Sequence, residues 1–228
     1  MREIDGLCVF YRTHSADEDV IAHSFSDDIF FPAVHEYTPQ AGDVVVDVGA
    51  HIGTFSLLAA THVGDAGHVH AIEPSAESFQ LLQRNLDGNT PTNATAHHLA
   101  LAAADGTATL FHDRDGNWGH STVADLSGVT EEAPALTLAS FLSANGIDRC
   151  HFMKFNCEGA EFPILLSASD EILRRIGTLL VLYHCDLWPE NSAAELTARL
   201  EQAGFTTRCL QQKDQRGWIV ATRSEESA

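Results

Sequence analysis

Basic residues are scarce in this sequence. Lys and Arg number 13 against 32 Asp and Glu, which gives a formal net charge of -19 at pH 7. A negative field of this size repels phosphate backbones and anionic membrane surfaces. The composition therefore argues against nucleic acid or a membrane as the partner. It mildly favours a cationic ligand, although an acidic surface also serves solubility alone.

Long apolar runs are missing, and so is any pairing pattern of cysteines. No window approaches the roughly 18 apolar residues of a membrane span. The stretch MREIDGLCVFYRTHSADEDV has acids where an export signal needs an apolar run. We therefore expect a cytoplasmic protein. The five cysteines contain no Cys-x-x-Cys pair, which favours reduced thiols over a disulfide framework or a zinc knuckle.

Strand-like and helix-like segments alternate from Asp43 onward, which is typical of a parallel sheet with helices on both faces. The predicted strands are Val44–Val48, His68–Ile72, Thr95–Leu101, Ala108–His112, His151–Asn156 and Thr178–His184. The predicted helices are Gly53–His62, Ala76–Leu86, Leu138–Asn145, Glu161–Ile176 and Ala193–Ala203. Residues 1–42 lack this alternation, so we expect them to form a cap or lid over one domain of residues 43–228.

The end of the chain follows a different pattern. Ser192 and Glu195 have capping-box spacing, and Gly204 stands where a helix needs a left-handed residue to end. The segment FTTRCLQQKDQRGWIVAT then places two alternating runs around a polar turn. This pattern predicts an antiparallel hairpin over residues 205–222.

The turn within VVVDVGAHIG is the first place to expect a ligand, because doubly wound sheets bind ligands outside the carboxyl ends of their strands. Gly49 and Gly53 let the backbone approach a ligand, and the next helix presents its amide-rich N-terminus. A dinucleotide fingerprint needs Gly-x-Gly-x-x-Gly, but His51 occupies the second glycine position. An NAD-dependent oxidoreductase is therefore disfavoured.

Two acids at strand ends define the ligand further. Glu73 follows the second predicted strand and can accept hydrogen bonds from both hydroxyls of a ribose. Asp47, near the end of the first strand, suits a cationic amine. A nucleoside without a pyrophosphate, combined with an amine, indicates S-adenosylmethionine.

The chain contains five motif blocks, VVVDVGAHIGTFS, HAIEPSAESFQLLQRN, HHLALAAADGTATL, LTLASFL and HFMKFNCEGAEFPIL. Over roughly residues 36–210 these blocks resemble the FkbM-type methyltransferases, which are class I S-adenosylmethionine-dependent enzymes. The resemblance implies a Rossmann-like α/β fold with a seven-stranded, mostly parallel sheet that ends in an antiparallel hairpin. It also implies an O-methyltransferase that acts on a hydroxyl of a sugar or another secondary metabolite.

The resemblance assigns cofactor contacts to residues after the first three strands. The methionine and ribose parts would meet Asp47, Gly49, Ala50 and Gly53, and the ribose would be held by Glu73. The adenine would lie beside Pro74, Ser75, Ala100 and Leu101, although Leu101 is equally consistent with the core.

Methyl transfer to a hydroxyl requires that the oxygen be held in line and lose its proton. The candidate residues follow the fourth and fifth main strands and are Lys154, Asn156, Glu158, His184 and Asp186. His184 is the first choice for the general base, because imidazole titrates in a suitable range. His120 in DGNWGHST is the second choice, and Glu158 would bind the substrate or orient the base.

Asn156 departs from the family pattern, which has Asp at this position of K-x-D-x-E-G. Asn keeps an acceptor oxygen but cannot act as a base. A Mg²⁺ site formed by Glu158, Asp186 and Asn156 is an open alternative, weakened by the loss of that carboxylate. A cofactor-binding module without catalytic activity is another.

The acceptor is less well defined than the cofactor. A sugar or a similar polyhydroxylated small molecule is favoured, because several aromatic side chains could provide stacking faces unless they belong to the core. They are Phe30, Phe31, Tyr37, Trp118 and Trp188. A polyketide or peptide hydroxyl remains an alternative acceptor. Methyl transfer to a carboxylate, amine or carbon is harder to exclude. The protein could also form a homodimer.

Overall fold

The computed structural model describes residues 1–25, 31, 33–89, 92–112, 119–125, 127–188, 192–213 and 215–223. The strands are β1 (Arg2–Ile4), β2 (Leu7–Val9), β3 (Val44–Val48), β4 (His68–Ile72), β5 (Ala94–His97), β6 (Ala100–Leu101), β7 (Gly106–Phe111), β8 (Thr130–Leu136), β9 (Cys150–Phe155), β10 (Ile176–His184), β11 (Thr206–Lys213) and β12 (Arg216–Thr222). The helices are α1 (Asp17–Phe25), α2 (Thr54–Val63), α3 (Ala76–Asn89), α4 (Leu138–Ala144), α5 (Glu161–Ser167), α6 (Asp170–Leu173) and α7 (Ala193–Gln202).

The central sheet has seven strands in the order β11-β12-β10-β9-β3-β4-β5. Strands β10, β9, β3, β4 and β5 are parallel, whereas β12 pairs antiparallel with both β10 and β11. The predicted fold class and its final hairpin are therefore confirmed. The strand order reverses between β3 and β9, and such a switch point leaves a crevice at the carboxyl ends of the strands.

Alternation along β3 distributes its side chains between two layers. Val46 and Val48 pack into the cluster formed with α4, α5 and α7, while Val45 packs against α2 on the opposite face. Asp47 shares the α2 face with Val45, because side chains of a strand repeat every second residue. On the neighbouring strand, Lys154 is the register partner of Asp47. The sheet thus brings two charged groups together near its carboxyl edge.

Two predicted elements are divided in the structure. The predicted strand Thr95–Leu101 is split, because β5 joins the central sheet while β6 joins a separate three-stranded sheet with β8 and β7. The predicted helix Glu161–Ile176 is interrupted at Ala168, whose ψ of 134° is extended. Ser169 then caps α6 by accepting a hydrogen bond from Ile172 N at 3.3 Å. Strands β1, β2 and β8 were not expected from the sequence.

No helix among the described residues is both long and apolar enough to cross a membrane.

Candidate active site

A cavity opens at the carboxyl ends of β3, β4 and β9, where the strand order reverses. Its wall combines the turn after β3, the end of β4, the loop after β9, one side of α1 and part of the three-stranded sheet. The empty space measures about 990 Å³, a figure that includes open solvent at the mouth. The cavity is therefore a cleft at the switch point of the sheet, where doubly wound folds bind their ligands.

The predicted cofactor residues divide into those that line the cavity and those behind its wall. The lining includes Gly49, Ala50, Glu73, Pro74, Ala100 and Leu101. Asp47, Gly53 and Ser75 lie outside the lining, and both Asp47 and Ser75 are fully buried. The structure therefore brings the predicted nucleoside-binding residues together, while their contacts with a cofactor stay predictions.

The glycines of the first turn serve the packing of the protein itself. Gly49 has φ 79°, and a Cβ at this position would lie 1.9 Å from the backbone oxygen of Asn156. A Cβ on Gly53 would lie 2.4 Å from Leu82 Cδ1. The loop after β9 and helix α3 occupy the space beside these glycines, so packing alone requires glycine here, while the predicted close approach of a ligand to Gly49 and Gly53 stays a prediction.

His51 links the first turn to the N-terminal segment. Its backbone, at φ 53°, donates a hydrogen bond from N to Glu73 Oε2 at 2.8 Å. Its Nε2 lies 2.9 Å from Arg12 Nη2 and 3.4 Å from Asp17 Oδ1. Arg12 also pairs with the fully buried Asp17 at 2.8 Å. His51, which stands where a dinucleotide fingerprint has glycine, therefore connects the turn after β3 to the start of α1.

Glu73 is an oriented carboxyl group in the cavity wall. Its second oxygen, Oε1, accepts a hydrogen bond from Ser75 N at 2.9 Å. Burial raises the pKa of Glu73 to about 7, and the charge of Asp47 adds to this effect, while the amides of Ser75 and His51 oppose it. Ribose hydroxyls that donate to this group would favour its ionised form. Its geometry suits the predicted ribose contact.

Asp47 is fully buried and engaged by two side chains of the protein. Oδ1 accepts a hydrogen bond from Lys154 Nζ at 2.8 Å, and Oδ2 accepts one from Ser56 Oγ at 2.7 Å. Lys154 itself lines the cavity. In this structure Asp47 positions Lys154, and its contact with the cofactor amine stays a prediction.

The loop after β9 places two polar side chains in the cavity wall. Glu158 has φ 48°, and its backbone oxygen accepts a hydrogen bond from Ser121 Oγ at 2.7 Å. Asn156 has a buried Oδ1 without a hydrogen-bond partner in the described part of the chain. Both residues line the cavity, together with His120 and Thr122. This wall offers acceptors for the hydroxyl groups of a ligand.

His184 lies behind this wall, contrary to its expected place beside the reacting groups. The side chain is fully buried and absent from the cavity lining. Burial lowers the pKa of His184, but the neighbouring carboxylates of Glu158 and Glu161 outweigh that effect and raise it to about 9. Its burial and its pairing with two carboxylates argue against the predicted role of His184 as general base, which stays a prediction from the sequence.

The predicted Mg²⁺ ligands do not form a common site. Asp186 pairs with Arg216 Nη2 at 2.8 Å, and Glu158 lies 3.6 Å from Arg216 Nη1. Among the described residues, no three His, Cys, Asp or Glu side chains are grouped to hold a metal ion. The carboxylates that would serve as ligands are paired with a guanidinium, so these residues do not fit the ion.

His112 and Glu131 lie beside the cavity-facing His120. No sequence pattern predicted this arrangement. Phe111 and Ser121 form an antiparallel bridge, and next to it the rings of His112 and His120 lie 4.5 Å apart. His112 Nε2 is 3.2 Å from Glu131 Oε2. Only strand β8, which was not predicted, brings Glu131 to this position.

Helix α1 supplies a further part of the wall that sequence reasoning missed. Val20, His23 and Ser24 line the cavity, and Ser24 Oγ donates to Thr54 Oγ1 at 2.7 Å. The stretch DEDVIAHSF does carry apolar residues at helical spacing, but nothing in it indicates what the helix packs against.

The described aromatic residues that were considered for the acceptor lie outside the cavity lining. Tyr37 stacks on Phe152 with ring centroids 4.8 Å apart, and Phe31 is buried in the same cluster. Trp188 packs against the cluster on the opposite face of the sheet. Phe30 and Trp118 lie outside the described residues.

Comparisons with known proteins agree with this arrangement. Residues 47–207 match the family model described as "Methyltransferase FkbM domain". The chain is 26% identical over 199 residues to "Methyltransferase 1" of Beauveria bassiana, covering 78% of each chain.

Two solved structures show the same fold. The methyltransferase FkbM of Methylobacillus flagellatus has a TM-score of 0.56 at 17% identity, with 85% of this chain and 46% of that chain covered. A putative rRNA methylase of Clostridium thermocellum has a TM-score of 0.55 at 12% identity, with 94% and 99% covered. At these identities the likeness concerns the fold alone.

Proposed function

The chain belongs to the FkbM methyltransferase family, and from this premise we propose that it methylates a hydroxyl group of a sugar or a similar polyhydroxylated small molecule. The observation that carries the proposal is the composition of one cavity. The turn after β3 and Glu73 form one end, and Glu158, Asn156 and His120 form another part of the same wall. A nucleoside and a hydroxylated acceptor would therefore meet at one cavity.

S-adenosylmethionine, when bound, supplies a methyl group on a sulfonium centre. The oriented carboxyl of Glu73 is suited to the two ribose hydroxyls, since a carboxylate accepts several hydrogen bonds. Pro74, Ala100 and Leu101 offer an apolar surface for the adenine. Gly49, Ala50 and His51 would surround the methionine part, beside the ammonium of Lys154, which can meet a carboxylate.

The acceptor half of the cavity is rich in hydrogen-bond acceptors. Glu158 and the unpartnered Oδ1 of Asn156 accept but do not donate at these atoms. A molecule with several hydroxyl donors satisfies such a wall, whereas an anionic acceptor would be repelled by Glu158. This supports a sugar-like acceptor over a carboxylate.

We also propose that residues 1–42 act as a cap, because α1 forms part of the cavity wall. The net charge of -19 favours a small acceptor over nucleic acid, although an rRNA methylase shares the fold. A homodimer remains a prediction from the sequence.

The test is release of S-adenosylhomocysteine from S-adenosylmethionine across monosaccharides, glycosides, a hydroxylated peptide and a short RNA, with Mg²⁺ and with EDTA. We expect a signal with a sugar class that persists in EDTA, because the candidate metal ligands are paired with Arg216. Release without any acceptor gives the background. A signal only with RNA or peptide would replace the sugar assignment. If calorimetry shows cofactor binding without turnover on any acceptor, the chain is a binding module.

A further inference from the structure

A buried chain of three ionisable side chains ends at the cavity. Glu161 Oε1 accepts hydrogen bonds from His184 N at 2.7 Å and from His184 Nδ1 at 3.1 Å. On the other side of the ring, His184 Nε2 lies 3.3 Å from Glu158 Oε2. Glu161 and His184 are fully buried, while Glu158 lines the cavity. A carboxylate, an imidazole and a second carboxylate thus run from the core to the ligand space.

The backbone of Glu158 is held in an unfavourable conformation. A residue other than glycine is uncommon at φ 48°. Such conformations persist where the surrounding structure enforces them, often at functional sites. Gly159 follows at φ 98°, and its amide donates to Glu161 Oε2 at 2.9 Å. A Cβ on Gly119 would lie 3.0 Å from the carboxyl carbon of Glu158. The loop after β9 and the segment at Gly119 therefore aim this carboxylate.

Other charged and titratable groups face His184 from strand β12, from the loop after β9 and from the end of β10. Arg216, its register partner on β12, lies 3.6 Å from Glu158 through Nη1 and is also paired with Asp186. Cys157 Sγ lies 3.5 Å from Glu161 Oε2, and burial raises the pKa of that thiol well above its usual range. Cys185 follows His184 in the chain, and burial also raises its pKa. Together with the paired Arg216, a protonated His184 therefore balances the negative charges of Glu158 and Glu161.

We propose that Glu158 is the catalytic residue that takes the proton of the acceptor hydroxyl, and that Glu161 and His184 are positioning residues that hold its carboxylate. The inference rests on the proposed function. The acceptor oxygen forms a bond to the methyl carbon, the bond from that carbon to sulfur breaks, and its electron pair returns to sulfur. The hydroxyl proton passes to Glu158 and then to water at the cavity mouth.

A carboxylate is basic enough for this step. As the oxygen takes up the methyl group, its O–H becomes strongly acidic, so an imidazole is not required. What matters is that the carboxylate stays ionised and in place, because misplacement of a reacting group is costly in rate. The protonated His184 serves both needs through its charge and its contact with Glu158.

Kinetics on the acceptor found in the panel form one arm of the test. Glu158→Gln should lower kcat by about 10²-fold or more with cofactor affinity unchanged. His184→Gln should lower kcat by roughly 10-fold and leave the KM for the acceptor and the cofactor affinity unchanged, because the ring holds the carboxylate of Glu158 in place but touches neither ligand. Glu171→Gln and His14→Asn, at exposed positions, are the matched controls. Normal turnover in Glu158→Gln together with an inactive His120→Gln would assign the base to His120 and overturn the proposal.

The second arm needs no acceptor. In ¹⁵N NMR spectra of wild-type protein saturated with S-adenosylhomocysteine, both ring nitrogens of His184 should carry protons at pH 7.5. Glu161→Gln should lower the titration midpoint of His184 by about one pH unit. A neutral His184 at pH 7.5 would overturn the proposal even if the acceptor is unknown. Lack of turnover on every acceptor, combined with the expected NMR result, would reject the proposed function. It would still support the buried chain of Glu161, His184 and Glu158.

Discussion

Gly49 shows, at the scale of one residue, why this position of the turn after β3 tolerates no side chain. It combines φ 79° with a Cβ position 1.9 Å from the oxygen of Asn156. Gly64 provides a matched control, because it also has positive φ, 60°, but nothing lies within 4 Å of its Cβ position. The two sites separate the cost of backbone conformation from the cost of a collision.

We expect Gly64→Ala to lower the free energy of unfolding by about 1 to 3 kcal/mol, because φ 60° with ψ -176° is a backbone region that residues with a Cβ adopt only under strain. Gly49→Ala should cost clearly more and should weaken S-adenosylmethionine binding, because the loop that carries Glu158 must shift. Urea unfolding and calorimetry measure the two effects. Equal losses in the two variants would mean that the loop after β9 gives way easily.

His70 is a buried histidine that the reaction does not use. Its Nδ1 lies 3.1 Å from His97 Nε2. Burial lowers the pKa of His70 to about 3, and the charges of His68 and His97 act in the same direction. Burial also lowers the pKa of His97 and of His68. The cluster is therefore neutral in the folded protein.

Acid should destabilise the fold through this cluster. Between pH 6.5 and about 3 the unfolded chain binds a proton at this site that the folded chain excludes, so stability is full above pH 6.5 and falls as the pH drops. A single such group contributes a slope of at most about 1.4 kcal/mol per pH unit. His70→Leu should flatten the slope between pH 6 and 4.5 in urea unfolding, while His14→Asn should leave it unchanged. An unaltered slope in His70→Leu would place the acid sensitivity elsewhere.

At the scale of elements, Arg12 joins the start of α1 to the turn after β3. Its Nη2 pairs with the buried Asp17 at 2.8 Å and lies 2.9 Å from His51 Nε2. Because His51 N also donates to Glu73, a loss at Asp17 should reach the carboxyl group that we propose as the ribose contact. Removing one partner from a buried ion pair is strongly destabilising.

We expect Asp17→Asn to weaken S-adenosylmethionine binding by about 10-fold, an energy of about 1.4 kcal/mol. Asp19→Asn lies in the same helical turn but is exposed, and it should bind the cofactor normally. Calorimetry on folded protein, checked by circular dichroism, makes the comparison. Wild-type affinity in Asp17→Asn would show that the N-terminal segment is independent of the cofactor turn.

Elements with a strong local pattern were predictable, and those that depend on distant partners were not. Strands β3 and β4 have the predicted bounds because β-branched residues dominate the first and alternation marks the second. Strand β8, in contrast, contains Pro134 and two adjacent glutamates, and it exists through pairing with β7. Strand β2 depends on α3, since Cys8 N donates to Asn89 Oδ1 at 2.7 Å.

The candidate site follows the same division. Glu73 was predictable because its position at a strand end is local to the sequence. The position of His184 is not local, because Glu161 from α5 turns the imidazole away from the cavity. A strand-tip histidine has the same sequence whether it faces a ligand or a buried carboxylate, so the sequence alone could not distinguish the two.

At the scale of the whole molecule, the net charge of -19 should discriminate between cofactor and product. S-adenosylmethionine carries a sulfonium charge that S-adenosylhomocysteine lacks, so a negative field attracts it more strongly. Salt weakens this attraction, because the screening length falls from roughly 30 Å at 0.01 M to roughly 3 Å at 1 M. We expect the Kd of S-adenosylmethionine to rise several-fold over that range and that of S-adenosylhomocysteine to change little. Sinefungin, which carries an amine near the position of the methyl group, should behave like the cofactor. Parallel salt dependence of all three ligands in calorimetry would show that the acidic surface serves solubility alone.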